Sequence, residues 1–265
     1  AIADRLGAAP QVLRWNDARE EPLPQLVVVR LVQDHCFIRM DSSGALLHRR
    51  GYRQAVAKAP LRETLAAAML LFSGWDGQQP LLDPFCGSGT IAIESALIAC
   101  RMAPGRLRRF AFMDWPGFDV ALWKGLWAEA EAARQTCPAM IMAGDRDAGA
   151  IDMAKANAQR AEVADAIHFA QQAVSASSAA QLHGWVVTNP PYGVRVSGDK
   201  DLRNLYAQLG NVLRNAFPGW RVAILCGEPV LLRASGLNFQ QQVGLVNGGL
   251  PVILALGKVL MDREM

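Results

Sequence analysis

The apolar positions of the chain form short extended runs separated by longer segments with helical spacing. "QLVVVRLV" (25–32) and "CFIRMD" (36–41) are extended and flank "QDH", which predicts a hairpin. "APLRETLAAAMLLFSGW" (59–75) predicts a helix. Pro60 suits a first turn, the alanine and leucine run favours helix, and Gly74 can end it. From residue 80 onward strand and helix alternate. "PLLDPF", "AMIMAGD", "AIHFAQQ", "GWVV" and "GWRVAILCG" read as strands, and "TIAIESALIA", "DAGAIDMAKANAQRA" and "LRNLYAQLGNVLRNAF" as helices. That alternation predicts a mostly parallel sheet covered on both faces. The end of the chain differs: "QQQVGLV", "NGG" and "LPVILALGKVL" predict two strands about a tight Asn247-Gly248 turn, so the sheet should close on an antiparallel hairpin. "EEPLP" (20–24) reads as a linker or edge, and the first fifth of the chain is too small for a core of its own. The expected organisation is a small segment, 1–50, ahead of an α/β catalytic domain, 51–265.

Composition narrows the class. Of 265 residues, 51% are hydrophobic and 19% charged, enough for a sizeable core and too few charges for a disordered chain. No apolar run is long enough to span a membrane, and the first residues, with Asp4 and Arg5, do not resemble a signal peptide. Cys36, Cys86, Cys100, Cys137 and Cys226 are scattered and contain no C-x-x-C pair. Neither a disulfide framework nor a metal site is expected, and a cytoplasmic location fits. The net charge is only +3, yet just five of the 27 basic residues are lysine. Arginine offers the planar fork that suits phosphates and bases, although a GC-rich genome would also enrich it.

The candidate chemistry lies at strand ends. "LLDPFCGSGT" (81–90) places an acid and two glycines at a strand-to-helix turn. Gly87 and Gly89 allow tight or left-handed backbone and close approach to a ligand. In an open parallel sheet, ligands bind in the crevice beyond the carboxyl ends of the strands, where Asp83 sits. A dinucleotide loop would read G-x-G-x-x-G; its absence argues against a nicotinamide oxidoreductase. A leading carboxylate suits a cationic or amino-bearing ligand instead. The next strand ends in "GDRD" (144–147), so Asp145 or Asp147 is placed to bind ribose hydroxyls. Either could equally cap the following helix, and Asp147 as cap with Asp145 as ligand satisfies both roles. Gln171 and Gln172, after the third strand, lie where an adenine would be or are simply polar surface.

"DPFCGSGT", "GDRD" and "NPPY", in this order, resemble the class I S-adenosylmethionine-dependent methyltransferases over roughly residues 55–265. More narrowly, "LHRRGYR", "APLRETLAAAMLLFSGW", "PGRLRRFAFMDWPGFD" and "NPPYGVRV" are similar to the THUMP-associated guanine-N2 methyltransferases of 23S rRNA and tRNA. The resemblance implies a Rossmann-like sheet of seven strands and S-adenosyl-L-methionine as cofactor. The loop Asp83, Pro84, Phe85, Cys86, Gly87, Ser88, Gly89 and Thr90 would hold its methionine part. Asp145, with neighbours Arg146 and Asp147, would hold the ribose, and Gln171 and Gln172 would stand where relatives carry an acid. The amino-terminal end of "APLRETLA" would pack against the cofactor. Residues 1–50 would be the remnant of a THUMP domain, its last hairpin around 26–48. Val194 stands where relatives often have an acid.

The catalytic residues implied are Asn189, Pro190, Pro191 and Tyr192. An exocyclic base amine delocalises its lone pair into the ring and is a poor nucleophile. Acceptors aimed at its two N–H bonds favour the tetrahedral geometry that attack on a sulfonium methyl requires. The Asn189 side-chain oxygen and the Pro190 carbonyl can supply them, on a backbone that the prolines fix in advance. Tyr192 offers a face on which an extruded base can stack. The motif does not separate adenine N6, guanine N2, cytosine N4 and a glutamine amide. Two arginine clusters interleaved with aromatic residues suit RNA: Arg49, Arg50 and Arg53, then Arg106, Arg108 and Arg109, with Arg195 able to reach a flanking phosphate or to pair with Asp199. Phe110, Phe112, Trp115 and Phe118 are in part local packing. The expected function is methylation of an exocyclic amine of rRNA or tRNA. The alternatives are methylation of adenine N6 or a protein glutamine, or an RNA-binding protein with a decayed site.

Overall fold

In a computed structural model of the protein, the described residues are 7, 25–54, 61–179, 181–193 and 199–260, with backbone alone for 199–201. "EEPLP" and Pro60 lie outside them. Strands β1 (Val27–Val32) and β2 (His35–Met40) form the predicted antiparallel hairpin, with Val32 opposite His35. This ribbon is separate from the main sheet and every residue in it is exposed. Helix α1 (Glu63–Phe72) follows, then β3 (Leu81–Asp83), α2 (Thr90–Ala99), α3 (Val120–Ala132), β4 (Ile141–Asp145), α4 (Ala148–Arg160), β5 (Ile167–Gln171) and β6 (Trp185–Thr188). The chain ends with α5 (Asp199–Ala216), β7 (Arg221–Cys226), α6 (Pro229–Ala234), β8 (Phe239–Asn247) and β9 (Leu250–Lys258).

The seven-stranded sheet has the order β5-β4-β3-β6-β7-β9-β8. β3 to β7 run parallel, and β9 and β8 are antiparallel additions, as the apolar pattern predicts. The strand order reverses between β3 and β6, which makes their carboxyl ends the natural crevice. Side chains alternate across the sheet because the strand period is two. Ala223 and Leu225 of β7 join the core under α1, α2 and α4. Val222, Ile224 and Cys226 join the second core, under α5 and α6, which also holds Tyr206, Phe217 and Trp220.

One detail differs from the sequence reading. The hairpin turn is Gly248-Gly249, both with positive φ, while Asn247 still pairs with Leu250. A two-residue turn that matches strand twist needs left-handed backbone at both positions, and two glycines provide it more cheaply than Asn-Gly. Among the described residues, β5 and β6 are joined by a single 3-10 turn, Val174–Ala176. Val174 of this turn and residues of α5 both line the cleft described below.

Candidate active site

β3 delivers Asp83 to the carboxyl end of the sheet, where its side chain is buried. Its Oδ1 accepts from the Thr188 hydroxyl at 2.7 Å and from the Phe85 amide at 3.2 Å. Burial pushes the Asp83 carboxyl up to about 7, against the pull of those two donors, with Asp145 adding to the rise. Thr188, the last residue of β6, thus ties the first motif to "NPPY".

Past Asp83 the loop is closed by its own backbone. The Cys86 amide donates to the Gly144 carbonyl at 2.9 Å, and the Gly89 amide to the Cys86 carbonyl at 2.7 Å. Gly87 and Gly89 have φ of +50° and +83°. At Gly89 a Cβ would sit 2.9 Å from the Ala154 Cβ, so this glycine also lets α2 approach α4. Asp145 binds the loop from β4: Oδ2 accepts from the Gly87 amide and Oδ1 from the Asp147 amide, each at 3.0 Å. Asp147 is the cap of α4, accepting from Gly149 and Ala150. The Ser88 carbonyl accepts from Asn157, which is bonded to Arg160, and Arg160 donates to the Tyr52 carbonyl at 2.7 Å. Thr90 accepts from Arg53. Cys86 is buried, which pushes its thiol up.

A cleft of about 840 Å³ opens beyond these strand ends. Of the sequence-predicted residues, Pro84, Phe85, Asp145, Arg146, Gln172, Asn189 and Pro191 line it. Asp83, Gly87, Pro190, Tyr192 and the exposed Gln171 do not. Cys86, Ser88, Gly89, Thr90 and Asp147 support the loop and its helices. Asn189 Oδ1 is buried and, among the described residues, has no hydrogen-bond partner. Pro190 is buried beside it. A buried acceptor without a partner costs stability and calls for an explanation. The opposite wall was missed: Asn204, Leu205, Gln208 and Asn211 of α5 face the cleft. The spacing of those amides on one helical face was the available signal.

The arginine clusters hold the chain together. Arg50 pairs with buried Glu94, which also accepts from the Tyr52 hydroxyl at 3.1 Å. Arg53 pairs with Glu63, and Arg106 with Glu131 and Glu162. Arg108 donates to the carbonyls of Ser43, Ala45 and Leu46, fastening the segment after β2 to the 104–119 insertion. Phe110, Phe112 and Phe118 pack around Trp123. Arg109 bonds Asp114 at the surface, and Arg49 is exposed. Val194 and Arg195 lie outside the described residues. Among the described residues no group of His, Cys, Asp and Glu could hold a metal ion, and no helix is long and apolar enough to cross a membrane.

A sheet with this strand order, an acid and glycine loop after β3, an acid after β4 and an Asn-Pro-Pro turn after β6 define a class I methyltransferase fold. The chain belongs to the RMKL-like methyltransferase domain family, whose model matches residues 50–255. Among curated relatives, it is 39% identical over 234 residues to slr0064 of Synechocystis sp., whose name gives it provisionally as an RNA methyltransferase; the match covers 87% of this chain and 61% of the relative. It is 41% identical over 219 residues to the ribosomal RNA large subunit methyltransferase K/L of Shewanella sp. (strain W3-18-1), over 80% of this chain and 31% of that protein. The match thus spans just under two thirds of the first relative and about a third of the second. Among solved structures, SMU.472, a methyltransferase by provisional description and complexed with SAH, superposes with a TM-score of 0.83 at 29% identity, over 96% of this chain and 66% of that one. A predicted N6-adenine-specific DNA methylase from Listeria monocytogenes superposes with a TM-score of 0.81 at 32% identity, over 96% of this chain and 64% of that one.

Proposed function

We propose that this chain binds S-adenosylmethionine in the cleft and transfers its methyl group to an exocyclic amine of RNA, guanine N2 of ribosomal or transfer RNA. The observation that carries this reading is Asn189 Oδ1, an acceptor in the wall of the cleft that is buried without a partner among the described residues. The residues present fit the cofactor. Asp83 can hold its ammonium group, Asp145 its ribose, and Gln172 with the amides of α5 its adenine. When bound, the cofactor supplies a sulfonium methyl that carries its own leaving group.

The protein's part is then geometry. Asn189 Oδ1 and the Pro190 carbonyl accept the two N–H bonds of the base amine and favour its tetrahedral form. They are fixed before substrate arrives, so they act on charge as it develops. Tyr192 supports the base by stacking. Holding amine and methyl in line supplies the remainder.

RNA would meet the protein on the surface around His48. Burial and then the field of Arg62, Arg49, Arg53 and Arg108 push its pKa down. Paired arginines still contribute to that field, and the exposed Arg49 and Arg109 can reach phosphates. We assign residues 1–50 to an appended RNA-binding segment and 51–265 to the catalytic domain, working in the cytoplasm.

The test is transfer of radioactive methyl from S-adenosylmethionine to RNA, DNA and protein pools from cells lacking the gene, followed by nucleoside mass spectrometry. The expected product is N2-methylguanosine. N6-methyladenine in DNA would favour the second reading, which the Listeria relative's description suggests. No saturable cofactor binding by calorimetry would leave a decayed RNA-binding domain.

A further inference from the structure

We propose that the antiparallel hairpin at the sheet edge is part of the active site, and that Gly227 and Asn247 are positioning residues which fix the Tyr192 ring against the target base. This rests on the methyl-transfer reading above and adds residues that reading does not use.

The sheet register places the hairpin. β7 has six residues, whereas β8 and β9 have nine each. Cys226, the last residue of β7, pairs with Ile253. Leu250, Pro251 and Val252 therefore extend past the end of β7, by about 10 Å at a strand's rise per residue. They extend at the carboxyl edge, the edge that carries Asp83, Asp145 and Asn189. Pro251 has no N–H to donate, and it falls where β9 has no β7 partner. The overhang brings Asn247 back to the catalytic turn, where its Nδ2 donates to the Tyr192 hydroxyl at 3.2 Å.

Gly227 forms the other half of the seat. A Cβ there would lie 2.8 Å from Tyr192 Cδ2 and 3.0 Å from Cε2. Its φ is not positive, so no left-handed backbone calls for glycine. Closeness to the ring does. The phenol is thus held at its hydroxyl by the hairpin turn and at its edge by the end of β7. An aromatic ring pinned in this way presents one fixed plane to a base, which lowers the cost of ordering it in the transition state.

The protein has three tyrosines, Tyr52, Tyr192 and Tyr206, so 3-fluorotyrosine gives a fluorine spectrum assignable with single Tyr→Phe variants. A pinned ring shows two Tyr192 lines, one for each edge that carries the fluorine. Asn247→Ala should merge them into one averaged line and Gly227→Ala, whose Cβ crowds the ring, should shift both, while buried Tyr206 stays as in wild type. Methyl transfer to an unmodified large-subunit rRNA transcript should fall roughly fivefold in kcat for Asn247→Ala. For Gly227→Ala it should fall on the order of 10²-fold. Cofactor Kd by calorimetry should not change. Tyr192→Phe combined with Asn247→Ala should cost no more than the larger single effect. Unmoved Tyr192 lines, additive losses, or a loosened ring with undiminished transfer would each overturn the inference. Should Gly227→Ala fail to fold, the Asn247 cycle decides alone. A wild-type protein that methylates no nucleic acid would instead sink the functional reading on which the inference rests.

Discussion

The two loops that meet in the cleft are finished to different degrees. Around Asp83 to Thr90 the protein supplies its own partners: Asp83 has Thr188 and Phe85, Asp145 has the amides of Gly87 and Asp147, and Ser88 and Thr90 are held by Asn157 and Arg53. At the Asn-Pro-Pro turn the protein stops short, and Asn189 Oδ1 is buried with no donor among the described residues. A self-satisfied loop is a scaffold whose shape precedes its ligand. An unsatisfied acceptor on a rigid turn is destabilising until something brings it a donor. The contrast separates residues that build the site from one kept for the substrate.

The strongest way to break this contrast is Asn189→Ala. Removing a preorganised acceptor should lower single-turnover methyl transfer on the order of 10²–10³-fold. The same change removes an orphan polar atom, so thermal stability should hold or rise slightly. Equal rates for variant and wild type at saturating cofactor would remove Asn189 from catalysis. A fall in melting temperature would show that the side chain belongs to the scaffold instead.

Thr188→Val tests the finished side. It deletes the donor to Asp83 with little change of volume, and a hydrogen bond to a charged group contributes about 1.5–3 kcal/mol. Cofactor binding near neutral pH should weaken on the order of tenfold, read by calorimetry. A Kd equal to that of wild type would detach Asp83 from the cofactor.

The same carboxyl predicts a pH dependence. Its folded value of about 7 lies above the usual 3.8. Between those values the folded state holds a proton that the unfolded state has released. The stability Asp83 contributes is therefore full at low pH and falls as pH rises from about 4 to about 7. An ammonium ligand binds the ionised form, so its affinity moves the opposite way. It should rise up to about tenfold per pH unit between pH 5 and 7. A flat affinity across that range would exclude an ionic contact at Asp83.

What was legible in the sequence divides along similar physical lines. Strands, helices and the closing hairpin follow from local periodicity, and Asp83, Asp145 and Asn189 from motifs that occupy strand ends. The β5–β6 link was not legible, because "VSASSA" carries no periodicity to show whether a helix forms there. The α5 wall of Asn204, Gln208 and Asn211 reads as a solvated face until the fold shows what lies opposite. The ion pairs of the arginines were not legible either: composition cannot tell a guanidinium beside a phosphate from one beside Glu63, Glu94 or Glu162, because those partners lie far away in sequence.

The smallest predicted effect separates the two acids of "GDRD", for which the sequence suggested Asp147 as cap and Asp145 as ligand. Asp147 caps α4 through Oδ1, whereas its backbone amide, not its side chain, reaches Asp145. Asp147→Ala therefore removes the cap and leaves the Asp145 carboxylate with both of its donors. Loss of such a cap costs about 1 kcal/mol, a shift of roughly 2–4 °C in melting temperature for a domain of this size. Cofactor Kd should stay within roughly twofold of wild type, since changes away from a ligand contact are usually worth a few tenths of a kcal/mol. A tenfold weaker Kd at an unchanged melting temperature would exchange the roles of the two acids, placing Asp147 on the ribose and returning Asp145 to the scaffold.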